Sequence, residues 1–223
     1  ETAKHRVVGL VIETRPDAVT PQALTLIRRL GCTKIQMGIQ SLNQHLLDIN
    51  ERRISVAQIE RAFSLARLFG FKIHAHFMLN LLGATPEGDK RDYERFMTEG
   101  AFMPDEVKVY PCALIEGSRL VGCYERGEWR PYTEEELLDV LAEHNVQGLS
   151  IANLQKDRTG MSIPRDWEGG LSGSPCYAAS NERIKQVYRE YGDRFAIAGI
   201  GGVFTPQQAY EKIRCGSSLV MFI

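Results

Sequence analysis

Glycine-rich turns recur in the last third of the chain, in WEGGLSG (167–173) and AIAGIGGV (196–203). Backbone N–H groups approach an anion closely only where side chains do not intrude. Gly201 and Gly202 stand after an apolar run and shortly before Thr205, a residue type that begins helices. The pattern predicts a phosphate-binding turn. Taken alone, GIGG is more typical of a tight strand-to-helix turn without a ligand. Together with GGLSG, descent from a ligand-binding protein is the better explanation of the motif.

Polar side chains follow apolar runs in the first two thirds of the chain, in VIETRPD (11–17), MGIQS (37–41) and DEVKVYP (105–111). Because ligands bind at the carboxyl ends of parallel strands, these segments predict a second ligand site. Two groups also have an ordinary structural interpretation. Arg15 can pair with Asp17, and Gln40 with Ser41 can satisfy a loop backbone.

His74 and His76 are two residues apart in an apolar run, so on a strand they point to one face. Two such rings can begin a metal site, but the neighbouring sequence offers no third ligand. The spacing therefore favours a role in the core or in the lining of a cleft, and we predict no metal site.

Composition restricts the classes of protein that fit. The chain has 223 residues, 43% of them hydrophobic and 25% charged, which suffices for one sizeable core or two small ones. A net charge of -1 gives no overall electrostatic signature of nucleic-acid binding. The five cysteines are odd in number and widely spaced, which favours a reducing compartment. We find no apolar stretch of membrane-spanning length and no signal-peptide pattern, and so expect a cytoplasmic protein.

Alternating strands and helices must position these groups. Most of the apolar runs are near-continuous, as in strands buried on both faces. They span 7–12, 34–39, 72–79, 106–110, 148–152, 195–200 and 219–223. Helix starts and stops lie between them. The starts are Thr20 before Pro21, Thr133 with Glu136, and Thr205 before Pro206; the stops are Gly31, Gly70, Gly192 and Gly216.

This βα repetition predicts an α/β fold of the (β/α) TIM-barrel type with a parallel sheet. Seven predicted strands are one fewer than a closed barrel needs. Three alternatives stay open: the segment 120–129 supplies another strand, the barrel is open, or a second copy completes it as a homodimer through the open edge.

Residues 1–142 resemble the radical-SAM core of the elongator catalytic-subunit family, which modifies the wobble uridine of tRNA. The resemblance rests on VVGLVIETRPD, GCTKIQMGIQS, GFKIHAHFML and DEVKVYP, in order and one per βα unit. It implies that Glu13, Arg15, Gln40 and Ser41 face S-adenosylmethionine and that Lys108 and Tyr110 face the substrate. It implies tRNA as a partner only if the chain retains the function of that family.

The iron–sulfur chemistry of that family needs thiolate ligands. In the family a three-cysteine loop near the start of the barrel holds a [4Fe-4S] cluster, whereas here no cysteine precedes Cys32. We therefore expect no [4Fe-4S] cluster and no reductive cleavage of SAM by this chain alone.

Residues 144–223 resemble the C-terminal barrel half of class 2 dihydroorotate dehydrogenase, an FMN enzyme. The resemblance rests on the segments VQGLSIANLQKDR, WEGGLSG, RFAIAGIGGV and GSSLVMFI. The resemblance implies that Ser172 and Gly173 lie against the flavin, that Gly201 and Gly202 hold part of its phosphate, and that Asn153 binds substrate. Leu154 stands where the family more often has threonine, and the family's catalytic base and flavin-ring ligands belong to the half that this chain replaces.

The two resemblances meet inside LAEHNVQGL (141–149) without a Gly/Ser or Pro-rich linker. A helix ending near Glu143, with Asn145 in the left-handed conformation, would lead into the next strand. We predict one domain, 1–223, spliced from segments 1–143 and 144–223.

Three functional hypotheses follow. The first is a hybrid that retains a cleft for FMN, another small phosphorylated ligand or, weakly, SAM, and has no native turnover. The second is an active enzyme of one parental class, and the third is a ligand-free scaffold. The catalytic residues are not assigned by the sequence.

Overall fold

The computed structural model describes residues 4, 7–143, 146–161 and 169–222. The chain divides into two compact units, Glu1–His144 and Asn145–Ile223. We call their described parts the first unit and the second unit. The division falls at the junction that the sequence motifs predict, whereas assembly of both segments into one barrel domain stays a prediction. The structure confirms an α/β fold whose strands form two parallel sheets.

The first unit contains a four-stranded sheet with the order β1-β2-β3-β4 and all neighbours parallel. Its strands are β1 (Val11–Thr14), β2 (Lys34–Gln40), β3 (Lys72–Leu79) and β4 (Glu106–Pro111). Its helices are α1 (Pro21–Arg29), α2 (Gln44–Ile49), α3 (Val56–Leu68), α4 (Pro86–Thr98), α5 (Leu120–Glu125) and α6 (Glu134–Ala142), with a short 3₁₀ helix at Pro16–Ala18.

The second unit contains a three-stranded parallel sheet with the order β5-β6-β7. Its elements are β5 (Gly148–Ile151), α7 (Cys176–Tyr191), β6 (Ala196–Gly199), α8 (Pro206–Arg214) and β7 (Leu219–Val220). The core between sheet and helices is formed by side chains at most 8% exposed: Ile151, Ile184, Val187, Phe195 and Ile197.

One prediction about the strands is wrong: the first sheet is not buried on both faces. Alternate side chains on β3 are buried, and these pack against the helices, as where Phe77 stacks on Phe96 with ring centres 5.4 Å apart. The other face carries half-buried His74, His76 and Met78. Aliphatic and polar side chains thus alternate with the period of the pleat, and this alternation leaves one face of the sheet for a site.

The predicted helix starts are confirmed. Thr20 Oγ accepts from Ala23 N, and both Thr133 and Thr205 form capping boxes with the residue three positions later. At the helix ends Gly31, Gly70 and Gly216 have positive φ, which favours glycine. Gly192 instead ends α7 in a right-handed conformation. All seven predicted strands are present; 72–79 matches β3 at both ends, and the other six differ at one or both ends.

Two predicted segments differ from the structure. The run 7–12 enters the sheet only at Val11, and Val7 and Val8 are 83% and 101% exposed. The segment 120–129, considered as an extra strand, begins with α5. The helix before the junction ends at Ala142, close to the predicted end, and Asn145 lies outside the described residues.

In the described residues, no helix combines the length and apolar character needed to cross a membrane. Strands β1 and β4 lie at the edges of the first sheet, and β5 and β7 at those of the second. Pairing of a second copy along such an edge stays a prediction, which a solution mass measurement tests.

Candidate functional sites

Strand register assembles the polar face of the first sheet. Glu13 is paired with Gln36, Gln36 with His74, and His74 with Glu106. Two residues further along, Gly38, His76 and Lys108 form the next row, and Met78 pairs with Tyr110 in the row after it. We define the polar face as the set Glu13, Gln36, Gln40, His74, His76, Glu106, Lys108 and Tyr110. The predicted residues Glu13, Gln40, Lys108 and Tyr110 all belong to it.

The two histidines lie at the centre of the polar face. Gln36 Nε2 lies 3.3 Å from His74 Nδ1, and Glu106 Oε2 lies 3.6 Å from the same nitrogen. Glu13 Oε1 lies 3.7 Å from His76 Nδ1. Burial is the main cause that lowers the pKa of both rings, although the two carboxylates oppose it. The rings therefore favour their neutral form, in which each can both donate and accept a hydrogen bond.

Tyr110 lies between His76 and Lys108 on the polar face. Its ring lies edge-on to His76 with centres 5.5 Å apart, and Lys108 Nζ lies 4.8 Å from the Tyr110 ring centre. Lys108 is exposed, whereas Tyr110 is half-buried. A cation and an aromatic ring at the end of one strand can receive a flat or anionic ligand.

A cavity of about 860 Å³ opens beside this face at the carboxyl ends of β2 to β4. The first sheet contributes Gln40, His76, Met78 and Tyr110, and the loop and helix after β4 cover the other side. Those covering residues are Cys112, Ala113, Ile115, Ser118, Arg119, Leu120, Cys123 and Arg126. The volume is in the range of cavities that hold cofactor-sized molecules.

Gln40 has an unusual conformation at the mouth of this cavity. The register of β2 shifts between Gly38 and Gln40, and Gln40 has a φ of 71°. Within the described residues, its buried Oε1 atom has no hydrogen-bond partner. A non-glycine residue with positive φ and a buried orphan acceptor costs free energy, and such costs concentrate at binding sites.

Ser41 and Arg15 contact the protein itself. Ser41 is buried; its hydroxyl donates to Asp92 and accepts from Asn43 N at 2.9 Å. Arg15 pairs with Asp17 at 3.0 Å, which matches the structural interpretation of that arginine, and it also donates to the carbonyl of Arg52 at 3.2 Å. These two side chains hold loops next to the polar face.

Sequence reasoning missed a buried carboxylate at the carboxyl end of β3. Asp89, 1% exposed in the first turn of α4, accepts from Asn80 N at 2.7 Å and from the Tyr132 hydroxyl at 2.9 Å. Burial raises the pKa of Asp89 to about 6. The only sequence signal is an acid just after the Thr85–Pro86 helix start, which also suits an exposed acid at a helix N-terminus.

The glycine turn of the second unit lies between β6 and α8. Gly201 and Gly202 have φ of 99° and 71°, and both are buried. A Cβ on Gly201 would lie 2.6 Å from the Ala152 carbonyl oxygen, and one on Gly202 would lie 2.9 Å from Tyr177 N. Among the described residues, no acceptor takes the two glycine N–H groups. Two consecutive free N–H groups beside the first turn of α7 can bind an anion.

The other predicted flavin-side residues lie near this turn. Gln155 and Leu171 form an antiparallel bridge, which brings the described part of WEGGLSG beside Asn153. The Cys176 thiol donates to the carbonyls of both Leu171 (2.9 Å) and Asn153 (3.3 Å). Ser172 is exposed, Gly173 has a φ of 78°, and Leu154 is 58% exposed. Trp167 and Glu168 lie outside the described residues.

The described residues suit a phosphate group better than they suit a metal cofactor. The free N–H groups at Gly201 and Gly202 fit a phosphate group. Among the described residues, no three or more His, Cys, Asp or Glu side chains are grouped so that they could hold a metal. We derive no step through an iron–sulfur cluster, and its absence stays a prediction.

Comparison with protein families gives two matches on adjacent parts of the chain. The radical SAM superfamily model matches residues 1–95, and the dihydroorotate dehydrogenase model matches residues 130–222. The second match begins before α6, earlier than the predicted boundary at 144. Each model covers less than half of the chain.

Curated relatives match 64% of the chain. The tRNA uridine(34) acetyltransferase of Methanocaldococcus infernus is 40% identical over 142 residues, which are 64% of this chain and 27% of that protein. Elongator complex protein 3 of Homo sapiens is 31% identical over 142 residues, with 64% and 26% covered. The chain thus spans about a quarter of the length of these relatives.

A solved structure supports the same similarity. Archaeal Methanocaldococcus infernus Elp3 with an N-terminal deletion superposes with a TM-score of 0.66 at 31% identity, covering 88% of this chain and 45% of that one. Both predicted resemblances are confirmed: the chain joins a segment similar to radical SAM proteins of the Elp3 type to a segment similar to dihydroorotate dehydrogenase.

Proposed function

We propose that the first unit binds S-adenosylmethionine against its polar face, with Gln40 at the wall of the 860 Å³ cavity, and that the substrate enters the same cavity. The observation that carries this proposal is Gln40, which combines a φ of 71° with a buried, unpaired Oε1 atom at the cavity wall. A ligand amine or hydroxyl that donates to this oxygen would recover the missing hydrogen bond.

Glu13 and Gln40 are the side chains that we assign to the cofactor. Glu13 is 66% exposed, and its carboxylate is free to accept from ribose hydroxyls or an amino group while it remains near His76. Arg15 and Ser41 serve the same site indirectly, because their hydrogen bonds go to Asp17 and Asp92 and fix the loops that follow β1 and β2.

Lys108 and Tyr110 are the residues that we assign to the substrate. The relative from Methanocaldococcus infernus is named a tRNA uridine(34) acetyltransferase, so a tRNA uridine is the substrate class we propose. The cation over the Tyr110 ring suits an anionic, planar group. Arg119 and Arg126 line the opposite wall of the cavity, where they are paired with Glu51 and Glu128.

Calorimetric titration of the full chain with S-adenosylmethionine tests this assignment. We expect saturable binding in the wild type and a loss of roughly tenfold in affinity for Gln40→Ala and Glu13→Gln, because each removes one hydrogen bond to a charged or polar ligand group. Gln22→Ala and Glu60→Gln are the matched controls, since both side chains are exposed on helices. Heat signals that are equal in all five proteins would contradict the proposal.

We further propose that this chain binds ligands without turnover. Within the described ranges, no three His, Cys, Asp or Glu side chains are grouped so that they could hold a metal. Two assays address the proposal directly. Formation of 5′-deoxyadenosine from SAM under reducing, anaerobic conditions, or oxidation of dihydroorotate with an added electron acceptor, would refute it.

A second ligand is supported by a different observation. The free N–H groups of Gly201 and Gly202, beside the first turn of α7, lead us to propose that the second unit holds the phosphate of FMN or of another small phosphorylated compound. Ser172, Gly173 and Asn153 are the proposed neighbours of the rest of that ligand. Bound FMN would supply hydride and electron-transfer chemistry.

The comparison of FMN with riboflavin isolates the phosphate. The two compounds differ only in that group, so tighter binding of FMN measures the phosphate site without a mutation that endangers the fold. We expect the purified chain to bind FMN at least tenfold more tightly than riboflavin, and inorganic phosphate to compete. Equal affinities would exclude a phosphate site. Gly201→Asp should abolish the difference by adding both bulk and negative charge at the turn.

A further inference from the structure

Lys212 is a fully buried lysine in α8 that none of the sequence motifs identifies. It is 0% exposed, and its ammonium donates to Ser180 Oγ and to Asn181 Oδ1, both at 2.9 Å. Its nitrogen also lies 5.5 Å from the centre of the Tyr177 ring. Burial lowers the pKa of Lys212.

No carboxylate neutralises this charge within the described part of the chain. The titratable neighbours of Lys212 are the thiols of Cys176 and Cys215, and the nearby Glu211 carboxylate accepts instead from the Tyr177 hydroxyl. A buried ammonium held only by neutral oxygens is costly, because it has lost water without gaining an opposite charge. Such an ammonium provides positive potential to an anion that binds nearby.

Two hydrogen bonds connect the ammonium to the glycine turn. Ser180 accepts from Lys212 and donates its own hydroxyl to the Ile200 carbonyl at 2.6 Å. That carbonyl belongs to the same peptide group as the N–H of Gly201, and in a trans peptide the two point in opposite directions. Holding the carbonyl toward Ser180 therefore directs the Gly201 N–H away from Ser180. A chain of hydrogen bonds also polarises the peptide and makes its N–H a stronger donor.

The stem of the lysine supports the strand that precedes the turn. A Cβ on Gly199 would lie 2.7 Å from Lys212 Cδ, so the end of β6 packs directly on the aliphatic part of this side chain. The same residue thus fixes the position of the strand end by packing and the orientation of the next peptide by hydrogen bonding.

We propose that Lys212 is the positioning residue of an anion site at Gly201 and Gly202, acting through Ser180 and supplying the positive charge behind the turn. The class of ligand is a phosphomonoester dianion. The inference rests on the phosphate site proposed above and deepens it, since Lys212 makes the site selective for phosphate without contacting the ligand.

The test uses the ratio of FMN to riboflavin affinity in the full chain. Lys212→Met keeps the length and packing of the side chain but removes its charge and its hydrogen bond to Ser180. We expect it to lower the ratio about tenfold while riboflavin binding stays the same. Ser180→Ala removes the hydroxyl between the ammonium and the Ile200 carbonyl but keeps the ammonium. We expect it to lower the ratio about threefold. Lys185→Met, an exposed lysine of α7 paired with Glu182 at 3.1 Å, is the matched control and should leave the ratio unchanged.

The outcomes separate the two proposals. A wild-type chain that does not distinguish FMN from riboflavin would refute the phosphate site, and the inference with it. A wild-type chain that does distinguish them, together with folded Lys212→Met and Ser180→Ala variants of unchanged ratio, would overturn the role of Lys212 alone. Circular dichroism verifies the fold of each variant. If Lys212→Met does not fold, Ser180→Ala decides.

Discussion

The two candidate sites are built from different materials. The site in the first unit consists of side chains that alternate strands place on one sheet face, with carboxylates, imidazoles and a lysine in mutual contact. The site in the second unit consists of backbone N–H groups on glycines that have no room for a Cβ. A side-chain site tolerates change in small steps, because each group contributes separately. A backbone site depends on the path of the chain, so one added methyl group can remove it.

The two units also differ in the sign of the charged groups that they bury. The first unit buries acids: Asp89 and Asp92 accept hydrogen bonds from loop backbones, and burial raises the pKa of each. The second unit buries a base, Lys212, beneath its glycine turn. We expect the loops of the first unit to respond to pH near neutrality, and the turn of the second unit to attract anions.

The largest predicted effect is a glycine substitution in the backbone site. Gly202→Ala would place a methyl group 2.7 Å from Tyr177 Cβ at a φ of 71°, so it combines overpacking with backbone strain. We expect the second unit to lose about 3–5 kcal/mol of unfolding free energy. Hydrogen exchange of the α7 and β6 amides, monitored as urea is added, measures this loss of unfolding free energy.

Gly160→Ala is the matched control for that experiment. Gly160 has a φ of 77° but nothing within 4 Å of the place that an added methyl group would take, so the control carries the backbone cost without the clash. We expect it to cost about 1 kcal/mol. Similar losses in the two variants would show that the contact with Tyr177 contributes little, and the distinction between the sites would weaken.

The next largest effect concerns Asp89 and pH. Its folded pKa of about 6 lies above the unfolded value of 3.8, so the folded state binds more protons between those values. The stabilisation is fully present below pH 3.8 and is lost as the pH rises through 6; the loss is at most about 3 kcal/mol. Asp89→Asn keeps an oxygen for both Asn80 N and the Tyr132 hydroxyl, and it should remove this part of the pH dependence.

Urea unfolding of the first unit at pH 5 and pH 7.5 measures the Asp89 effect. The quantity to compare is the change in unfolding free energy between the two pH values, in the wild type and in Asp89→Asn. Asp48→Asn, on an exposed position of α2, is the control. A wild type and an Asp89→Asn variant with the same pH dependence would mean that Asp89 is ionised in the folded state throughout this range.

His76 gives a smaller effect of opposite sign. Burial lowers its folded pKa below the unfolded value of 6.5, so the unfolded state binds more protons in this range. Stability is present above pH 6.5 and is lost as the pH falls through the lower folded pKa. We expect His76→Gln to lack this loss on acidification, measured by the same urea titrations. His45→Gln, at an exposed position on α2, should behave as the wild type; if it removes the same loss, the effect does not come from the polar face.

Periodicity in the sequence predicts most of the fold and part of the sites. The strands and helix caps follow from apolar runs and from Thr20, Thr133 and Thr205, because these signals are local. The polar face follows from the pleat once the strands are known. The closing of the cavity by α5 does not follow from the sequence. A short helix after β4 leaves little periodic signal, and the segment 120–129 also suits a strand.

The buried charges were not predictable because burial depends on tertiary packing. Asp89 in a first helical turn is typical of an exposed acid at a helix N-terminus. In α8 the residue pattern favours apolar Ile213 over its neighbour Lys212 for the core, yet Ile213 is 51% exposed and Lys212 is 0% exposed. The oxygens of Ser180 and Asn181 that receive this ammonium lie on α7, some thirty residues earlier, so no local pattern reveals them.

The smallest predicted effect is the removal of a side chain from the backbone site. Ser172 is exposed, so Ser172→Ala should change the unfolding free energy by less than about 0.5 kcal/mol. Since we assign the phosphate to the N–H groups of Gly201 and Gly202, the ratio of FMN to riboflavin affinity should also stay within about twofold of the wild type. Titration of both flavins into the variant measures this ratio. A drop as large as that expected for Lys212→Met would mean that the Ser172 hydroxyl binds the phosphate, and the second site would then be built from side chains as the first one is.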